Sequence, residues 1–234
     1  MSENHEDVDL NNHLSLRVTR ALLLLVVFFL AMHVCFKLAE YLQPADGMTY
    51  RVLRRLFDLD GENTITAWFS SFLLSTSALL LYLIGYLKHN SHSKYWYILS
   101  IAFFYLSIDE SLSFHEKASR AIRRIFEANE FSIPFLYNIY WVLPAGALSL
   151  ILFLYLLPFL RATHQKIRNV FIAAGVVYVT GAVGLEVAGG FIANNFQYVF
   201  YELIFPFEEL FEMVGVIIFL HALTSVLVLE VRRV

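Results

Sequence analysis

The sequence has little charge and almost no cysteine, and both shortages restrict what the protein can be. Only 16% of its 234 residues are charged, while 59% are hydrophobic. This balance lies outside the range of ordinary soluble domains and is typical of membrane proteins. The single cysteine, Cys35, excludes an intramolecular disulfide framework and any metal site built from several thiolates. We expect Cys35 to be a buried or lipid-facing packing residue.

The chain also lacks an excess of basic charge. Its net charge is −3, and no basic arm or aromatic–basic motif occurs, so we expect no nucleic-acid partner. Residues 1–20 are polar and acidic, and the apolar run after them is too long for the core of a cleavable signal peptide. We predict that residues 1–20 form a polar cytoplasmic tail.

Long apolar runs, in contrast, are abundant, and six of them are long enough to cross a bilayer as helices of about 20 residues. Because a backbone within the membrane must satisfy its own hydrogen bonds, we predict an all-α fold. The fold would be a polytopic bundle of six transmembrane helices, forming a single domain over residues 21–234. The predicted spans are residues 21–43, 65–87, 95–115, 138–160, 169–193 and 207–230.

The basic residues of the loops suggest an orientation. The loops on the side of both termini carry slightly more Lys and Arg, which favours a bundle with N-terminus and C-terminus inside. The basic residues of the other side fall in two amphipathic segments, TYRVLRRLF and EKASRAIRRIF. We predict that both are short helices lying on the membrane surface, with their apolar faces towards the lipid.

The few charges within the predicted spans gather towards one end of the bundle. With spans alternating in direction, charges late in spans 3 and 5 share the outer half of the membrane with charges early in span 6. The acids concerned are Asp109, Glu110, Glu186, Glu208, Glu209 and Glu212, and the loop sequence DLDGEN adds Asp58, Asp60 and Glu62. An ionised carboxylate near the bilayer centre costs about 2.5–3.5 kcal/mol, so these acids should face one another, bind a cation or keep a proton.

Helical geometry suggests how the acids are arranged. If span 3 is one continuous helix, Asp109, Ser113 and Glu116 share a face, Glu110 lies beside it and His115 points elsewhere. The three glutamates of span 6 occupy a single arc. Small residues near Glu186 would allow close helix approach; they are Gly181, Gly184, Ala188 and Gly189. We therefore predict an acidic pocket between spans 3, 5 and 6 that opens outward.

The predicted pocket is rich in oxygen ligands and poor in nitrogen ligands, a combination that suits hard divalent cations. A divalent metal is therefore a candidate cofactor, and its candidate ligands are Asp109, Glu186, Glu209 and Glu212. An imidazole beside acids can act as a general base, so the candidate catalytic residues are Asp109, Glu110 and His115. Secondary candidates are Asp58, Asp60, Glu62, Ser113 and Glu116. The alternative for the outermost acids is that they are solvated helix ends.

Two further histidines lie within predicted spans. His33 and His221 are each about a dozen residues into a span, at a similar predicted depth, which would permit a haem with two histidine ligands. Isolated histidines in such positions are more often packing or polar contacts between helices. We do not expect haem.

Two segments carry a resemblance to a known group. SIDESLSFHEK and FDLDGENTITAWFSS resemble segments of uncharacterised bacterial multi-pass membrane proteins, which implies the bacterial inner membrane as location and no particular activity. Ser107, Ser111, Ser113, Asp109 and His115 are superficially similar to the zinc-binding residue types of the alkaline ceramidase-like membrane hydrolases. The paired late-helix histidines of that group are missing, so its activity is not transferred.

The sequence leaves three functional hypotheses open. The first is an integral inner-membrane protein whose pocket binds a divalent metal or protons, and which as an enzyme would perform metal-assisted hydrolysis or transfer on a lipid-like substrate. The second is an ion- or proton-coupled transporter that uses the same acids. The third is a structural or accessory subunit of a membrane complex, or a homo-oligomer, in which the acids pair with a partner. In each case the lipid bilayer is the surrounding medium.

Overall fold

Helices form all the regular structure that the computed structural model describes. It describes residues 10, 12–42, 47–59, 61, 63–89, 92–130, 140–195 and 198–233. For residues 193–195 and 198–204 it describes the backbone only. The elements in chain order are α1 (His13–Leu42), α2 (Met48–Leu56), α3 (Ile65–Lys88), α4 (Ser93–Leu112), α5 (Phe114–Ala128), α6 (Val142–Ala162), α7 (Gln165–Val179), a π-helix (Thr180–Leu185), α8 (Glu186–Asn195) and α9 (Tyr198–Arg233). The predicted all-α fold is confirmed.

Five helical runs in these ranges are long and apolar enough to cross a membrane. They are His13–Leu42, Ile65–Lys88, Val142–Ala162, Gln165–Ile192 and Phe205–Arg233. The pair α4 and α5 gives a sixth if it is taken as one span, but the two helices are bent by 75° at their junction. A multi-pass membrane protein is therefore supported with five or six spans, and its orientation stays a prediction.

The first helix begins earlier than its predicted span. The Asn12 side chain accepts a hydrogen bond from the backbone N–H of Leu14 at 2.8 Å, as an N-cap does, and α1 starts at His13. The Thr19 hydroxyl donates to the Ser15 carbonyl and is also hydrogen-bonded to His221 of α9 at 3.0 Å. Polar residues near position 20 are thus satisfied within the bundle, so part of the predicted tail belongs to the first helix.

Helix α9 lies at the centre of the bundle and packs against α1, α3 and α7. In one half of the bundle the core is aromatic, with Phe219 stacked on Phe103 at 4.8 Å between centroids and also touching Phe171 at 4.7 Å. The other half is largely aliphatic around Met213 and Ile217. At the aromatic end, the ammonium of Lys88 on α3 forms an ion pair at 2.6 Å with Glu230 of α9, the last residue of the sixth predicted span.

Serine hydroxyls hold α3 and α4 together. The Ser71 Oγ donates to the Ser107 carbonyl at 2.8 Å, and the Ser107 Oγ donates to the Ser71 carbonyl at 2.9 Å. The Ser111 Oγ donates to the Ser71 Oγ at 2.8 Å. Small polar residues allow two backbones to approach closely and supply hydrogen bonds where no water competes. Ser107 and Ser111 are therefore packing residues of this helix pair.

Two glycines allow the chain after α7 to cross α9 at close range. A Cβ on Gly215 would lie 2.7 Å from the backbone nitrogen of Tyr178, and one on Gly181 would lie 2.8 Å from the carbonyl oxygen of Glu208. Neither position has room for a side chain. Gly184 belongs to the same predicted set of small residues. A Cβ on Gly184 would lie near Val179 and Thr180, which precede it in the chain, and not near α9. Close approach near Glu186 thus depends on Gly181 and on its partner helix.

The two amphipathic segments of the sequence are helices, as predicted. TYRVLRRLF corresponds to α2 and EKASRAIRRIF to α5. No residue of α2 is buried, and Ser119 is the buried residue of α5. Helix α2 follows α1, and α5 follows α4. The two lie at the same end of the described bundle, because Leu59 just after α2 and Ser119 of α5 line one cavity.

The glycine crossing gives a first prediction. Gly215→Ala should lower the free energy of unfolding by about 1–3 kcal/mol, because the new methyl group meets backbone atoms that cannot rotate away. The measurement is thermal unfolding of the purified protein in detergent. Gly175→Ala is the matched control, since a Cβ there meets nothing within 4 Å and helix propensity favours alanine. Equal destabilisation by both substitutions would contradict the close crossing.

Candidate functional site

An interruption of the helix at Ser113 creates the candidate site. Ser113 has φ 51° and ψ 48°, the left-handed conformation, and it separates α4 from α5. Its N–H donates to the Asp109 carbonyl at 2.6 Å, and the Lys117 ammonium donates to the Leu112 carbonyl, also at 2.6 Å. These bonds satisfy the carbonyl groups at the end of α4, as helix C-caps do. A serine in this conformation carries a strain of about 1–2 kcal/mol.

The break brings His115 back onto Asp109. The Asp109 Oδ1 accepts from the backbone N–H of His115 at 2.9 Å, and the Asp109 Oδ2 lies 2.8 Å from the His115 Nδ1. Our prediction that His115 points away from Asp109 was wrong. It assumed a continuous helix, in which residues six apart lie about 240° apart around the axis. The predicted span 95–115 ends as a straight helix at Leu112 for the same reason.

Asp109 determines which nitrogen of His115 is available. A carboxylate accepts hydrogen bonds, so the proton of a neutral imidazole belongs on Nδ1, where Asp109 binds it. The second ring nitrogen, Nε2, then carries the lone pair. Because Asp109 uses both of its oxygens on one residue, it fixes the tautomer and the direction of the ring. This is the arrangement that acid–base sites use to prepare a histidine.

Trp141, at the start of α6, connects this pair to Glu186. Its indole Nε1 donates to the Glu186 Oε1 at 2.9 Å, and its ring lies 5.1 Å from the His115 ring between centroids. Its backbone N–H also donates to the Ser119 Oγ of α5 at 3.4 Å. Trp141 was not among the site residues predicted from the sequence. The tertiary structure makes it a neighbour of two predicted site residues.

A cavity of about 480 Å³ lies between α4, α5, α6, the π-helix, α8 and α9. Predicted site residues that line it are Asp109, Glu110, Ser113, His115, Glu116, Glu186, Glu208, Glu209 and Glu212. Residues of the lining that the sequence did not single out include Arg120, Arg123, Trp141, Ser149 and Tyr178. Acids from three separate parts of the chain therefore surround one space. Its apolar lining includes Ala145 of α6 and Ala182 and Val183 of the π-helix.

The π-helix explains why the side-chain directions around Glu186 could not be predicted from a regular α-helix. Residues Thr180–Leu185 adopt i→i+5 hydrogen bonding between α7 and α8. This extra residue per turn shifts every later side chain around the axis relative to an α-helix. Gly181 of the π-helix lies against Glu212, whose Cγ would be 3.0 Å from a Cβ there. Tyr178 was not predicted from the sequence as a lining residue. Its contact residue, Gly215, lies on the same face of α9 as Glu212, which is the sequence signal that could have indicated it.

The candidate metal ligands of the described residues do not come together as one ligand set. Among the residues that the structure describes, no group of three or more His, Cys, Asp or Glu side chains is arranged to hold one metal ion. Asp109, Glu186, Glu209 and Glu212 share the cavity without forming such a group. A divalent metal therefore stays a prediction.

The secondary candidates of the DLDGEN loop divide in two. Asp60 and Glu62 lie outside the described residues. Asp58 is not part of the cavity lining, and its Oδ1 lies 3.4 Å from the Nδ1 of His33. The Leu59 N–H donates to the same nitrogen at 3.1 Å. His33 thus ties α1 to the loop before α3, as an interhelical polar contact.

His33 and His221 lie at different depths, which corrects the premise of a haem site. His221 lies at the level of Thr19, to which it is hydrogen-bonded. His33 is fourteen residues further along α1, which corresponds to about 21 Å along the helix axis. Two histidines separated in this way cannot ligate one iron. Cys35, near His33, is exposed on α1, in agreement with a lipid-facing position.

Comparison with known proteins gives a family without an activity. The family described as a domain of unknown function (DUF8692) matches residues 15–227, and the chain belongs to it. No curated protein and no solved structure matches the chain. The family agrees with the resemblance to uncharacterised proteins, and it carries neither a bacterial origin nor a link to ceramidase-like hydrolases.

The Asp109–His115 contact gives a second prediction. In a double-mutant cycle, Asp109→Asn and His115→Gln should be coupled by about 0.5–3 kcal/mol in the free energy of unfolding, because each removes the other's partner. Asp109→Asn with His221→Gln is the control cycle, since His221 is bonded to Thr19 and does not line the cavity, so the two substitutions should add within about 0.5 kcal/mol. Equal coupling in the two cycles would show that the break at Ser113 does not hold His115 on Asp109.

Proposed function

We propose that this DUF8692 protein is a membrane enzyme that performs acid–base chemistry on an amphiphilic substrate in the pocket between α4, α5, α6 and α9. The observation that carries the proposal is the double contact of Asp109 with His115. A carboxylate that binds both the backbone N–H and the Nδ1 of one histidine orients that imidazole towards a single task. General acid–base catalysis by an oriented side chain contributes about 10²–10⁴-fold to a rate.

In the proposed reaction His115 is the general base. Its Nε2 takes a proton from a water molecule, whose oxygen attacks the carbon or phosphorus of an ester while the bond to the leaving oxygen breaks. Asp109 stabilises the imidazolium that forms, as the acid of a catalytic triad does. The leaving oxygen takes a proton from a protonated carboxyl group of the pocket, for which Glu186 is the candidate because it lies beside the His115–Trp141 pair.

The walls of the cavity support an amphiphilic substrate. Its lining combines carboxylates with the apolar side chains of Ala145 on α6 and of Ala182 and Val183 in the π-helix. The middle of α6 turns large apolar side chains outward, with Leu148 63% and Ile151 63% exposed, as expected for a helix in contact with lipid. A molecule with a polar head and an acyl chain can therefore approach from the bilayer and keep its chain beside α6.

The packing of the rest of the bundle supports a site that opens on one side. The aromatic core fills the half of the bundle beyond the cavity, with Trp96 on Phe159 at 5.0 Å and Phe171 on Phe219 at 4.7 Å between centroids. Transport requires access from both sides of the membrane, whereas an enzyme requires one. This packing favours the enzyme over the transporter.

A divalent metal would add to this chemistry by polarising the bound water. The carboxylates that line the pocket are of the type that hard cations bind. Elemental analysis of the purified wild type and of an Asp109→Asn/Glu212→Gln variant assigns the metal if the wild type contains a stoichiometric ion that the variant lacks. Equal, negligible metal in both removes the metal from the proposal and leaves the Asp109–His115 pair.

The enzyme proposal predicts a product that depends on His115. Wild-type protein in nanodiscs of a mixed polar lipid extract should consume at least one ester-containing lipid, followed by mass spectrometry over time. His115→Gln should lower this rate about 10²–10⁴-fold, and Asp109→Asn should lower it as well. His221→Gln is the matched control, because His221 is bonded to Thr19 far from the cavity. Equal rates for wild type and His115→Gln, or no lipid consumed by folded wild type, would overturn the proposal.

A proton-coupled transporter is the second candidate, and the π-helix favours it specifically. Irregular helices beside buried acids are typical of transporter binding sites, and Gly181 of the π-helix contacts Glu212. In liposomes with a pH-sensitive dye inside, a transporter would show a proton flux that Glu212→Gln abolishes. A wild type without flux removes this candidate.

A further inference from the structure

The surface helix α2 has an apolar face without cover from the described parts of the chain. Met48 is 77% exposed and Val52 48% exposed, and no residue of α2 is buried. The helix is held to α1 by another side, where the Tyr50 hydroxyl donates to the Phe36 carbonyl at 3.0 Å and the Tyr50 ring contacts the Phe36 ring at 5.8 Å between centroids. An apolar face of this kind is unstable in water and indicates an apolar environment.

Basic side chains lie directly beside this apolar face. At 100° per residue, Met48, Val52 and Leu56 lie within an arc of about 80°, while Arg51 and Arg55 lie just beyond its edge. The remaining arginine, Arg54, is paired with Glu40 of α1 at 2.9 Å. The arrangement is that of a helix lying in a membrane interface, with guanidinium groups at the level of the lipid phosphates.

Helix α5 repeats the same arrangement. One side faces the protein, where Phe126 packs edge-to-face on Tyr140 at 4.9 Å and Ser119 is buried. The neighbouring side leaves Ile125 60% and Phe114 39% exposed. Arg124 lies beside this apolar side, about 80° from Phe114 and about 100° from Ile125 around the helix axis. Within the described ranges, the side chains of Arg51, Arg55 and Arg124 form no hydrogen bond or ion pair, unlike Arg120, which is paired with Glu116.

Both helices lie at the same end of the bundle and continue its lipid-facing surface. The last turn of α1 exposes Leu38, Tyr41 and Leu42 by 54%, 86% and 70%, and the exposed Met48 of α2 follows a few residues later. An apolar surface that is continuous with transmembrane helices lies in lipid. Its cationic rim then meets the phosphate layer of the same leaflet.

We propose that α2 and α5 bind the headgroups of anionic phospholipids through Arg51, Arg55 and Arg124, with Met48, Val52, Phe114 and Ile125 inserted among the acyl chains. Charge complementarity selects anionic over zwitterionic lipids, because each unpaired guanidinium gains from a net negative headgroup. This site is separate from the cavity and does not depend on the proposed reaction.

The test uses a fluorescent label on α2. In a Cys35→Ser background, Val52→Cys is labelled with an environment-sensitive dye, and the detergent-solubilised protein is titrated with short-chain phosphatidylglycerol. We expect a blue shift of the emission with saturable binding, and much weaker binding of phosphatidylcholine with the same chains. Inorganic phosphate alone should not shift the emission, which distinguishes a lipid headgroup from a free phosphate.

The arginines provide the variant and the control. Arg51→Gln/Arg55→Gln/Arg124→Gln should weaken the apparent affinity for phosphatidylglycerol about 100-fold, since each arginine near a membrane surface contributes about 5-fold. Arg17→Gln/Arg20→Gln/Arg232→Gln removes the same charge at the other end of the bundle and should leave the affinity unchanged. If the first variant fails to fold, salt replaces it: high ionic strength should weaken wild-type binding.

Three results would overturn the proposal. They are equal affinity for the anionic and the zwitterionic lipid, an affinity that neither the variant nor salt changes, and a blue shift that follows protein concentration instead of lipid. The last result would show that a second copy of the chain covers α2.

Discussion

The two hydrogen bonds that Asp109 accepts from His115 are the interaction on which the candidate site depends. They exist only because the helix is interrupted at Ser113. This residue, in the left-handed conformation, ends α4, and the axis of α5 is bent by 75° relative to that of α4. Without the break, His115 would lie on another side of a longer helix. With it, one carboxylate fixes the tautomer and direction of an imidazole beside a cavity. The local strain of about 1–2 kcal/mol at Ser113 is offset by these bonds and by the packing of α5 on Tyr140.

The other wall of the cavity depends on how closely helices can approach in a membrane. Lipid is as apolar as leucine, so helices gain from close contact and hydrogen bonds more than from burying apolar surface. Gly181 and Gly215 bring the π-helix and the end of α7 onto α9, and reciprocal serine bonds bring α3 onto α4. These contacts place Glu212 and Tyr178 at the cavity. Helix α6, in contrast, is held mainly at its ends, and its middle forms a wall between cavity and lipid.

Several polar groups within the bundle are paired with another helix or loop, whereas the buried Ser70 Oγ has no hydrogen-bond partner in the described part of the chain. Lys88 is paired with Glu230, Thr19 with His221, and His33 with the loop that contains Asp58. Carboxylates, in contrast, are concentrated around the cavity, because acids from α4, α8 and α9 surround this one space. In the described lining the carboxylates outnumber the basic side chains, which are Arg120, Arg123 and His115. An excess of carboxylates is what an acid–base or cation site requires, and it is the physical basis of the proposed function.

Composition and the length of apolar runs determined by themselves that this is an all-α, multi-pass membrane protein. Alternating helix direction also predicted that Asp109, Glu186 and Glu212 would lie at one end, because both results depend only on bilayer thickness and chain direction. Tertiary structure decided the rest. The break at Ser113, the π-helix before Glu186 and the depth of His33 relative to His221 change which side chains meet, and each depends on packing against another helix. Predicting side-chain directions at 100° per residue assumes a regular α-helix, and the site lies where the helices are irregular.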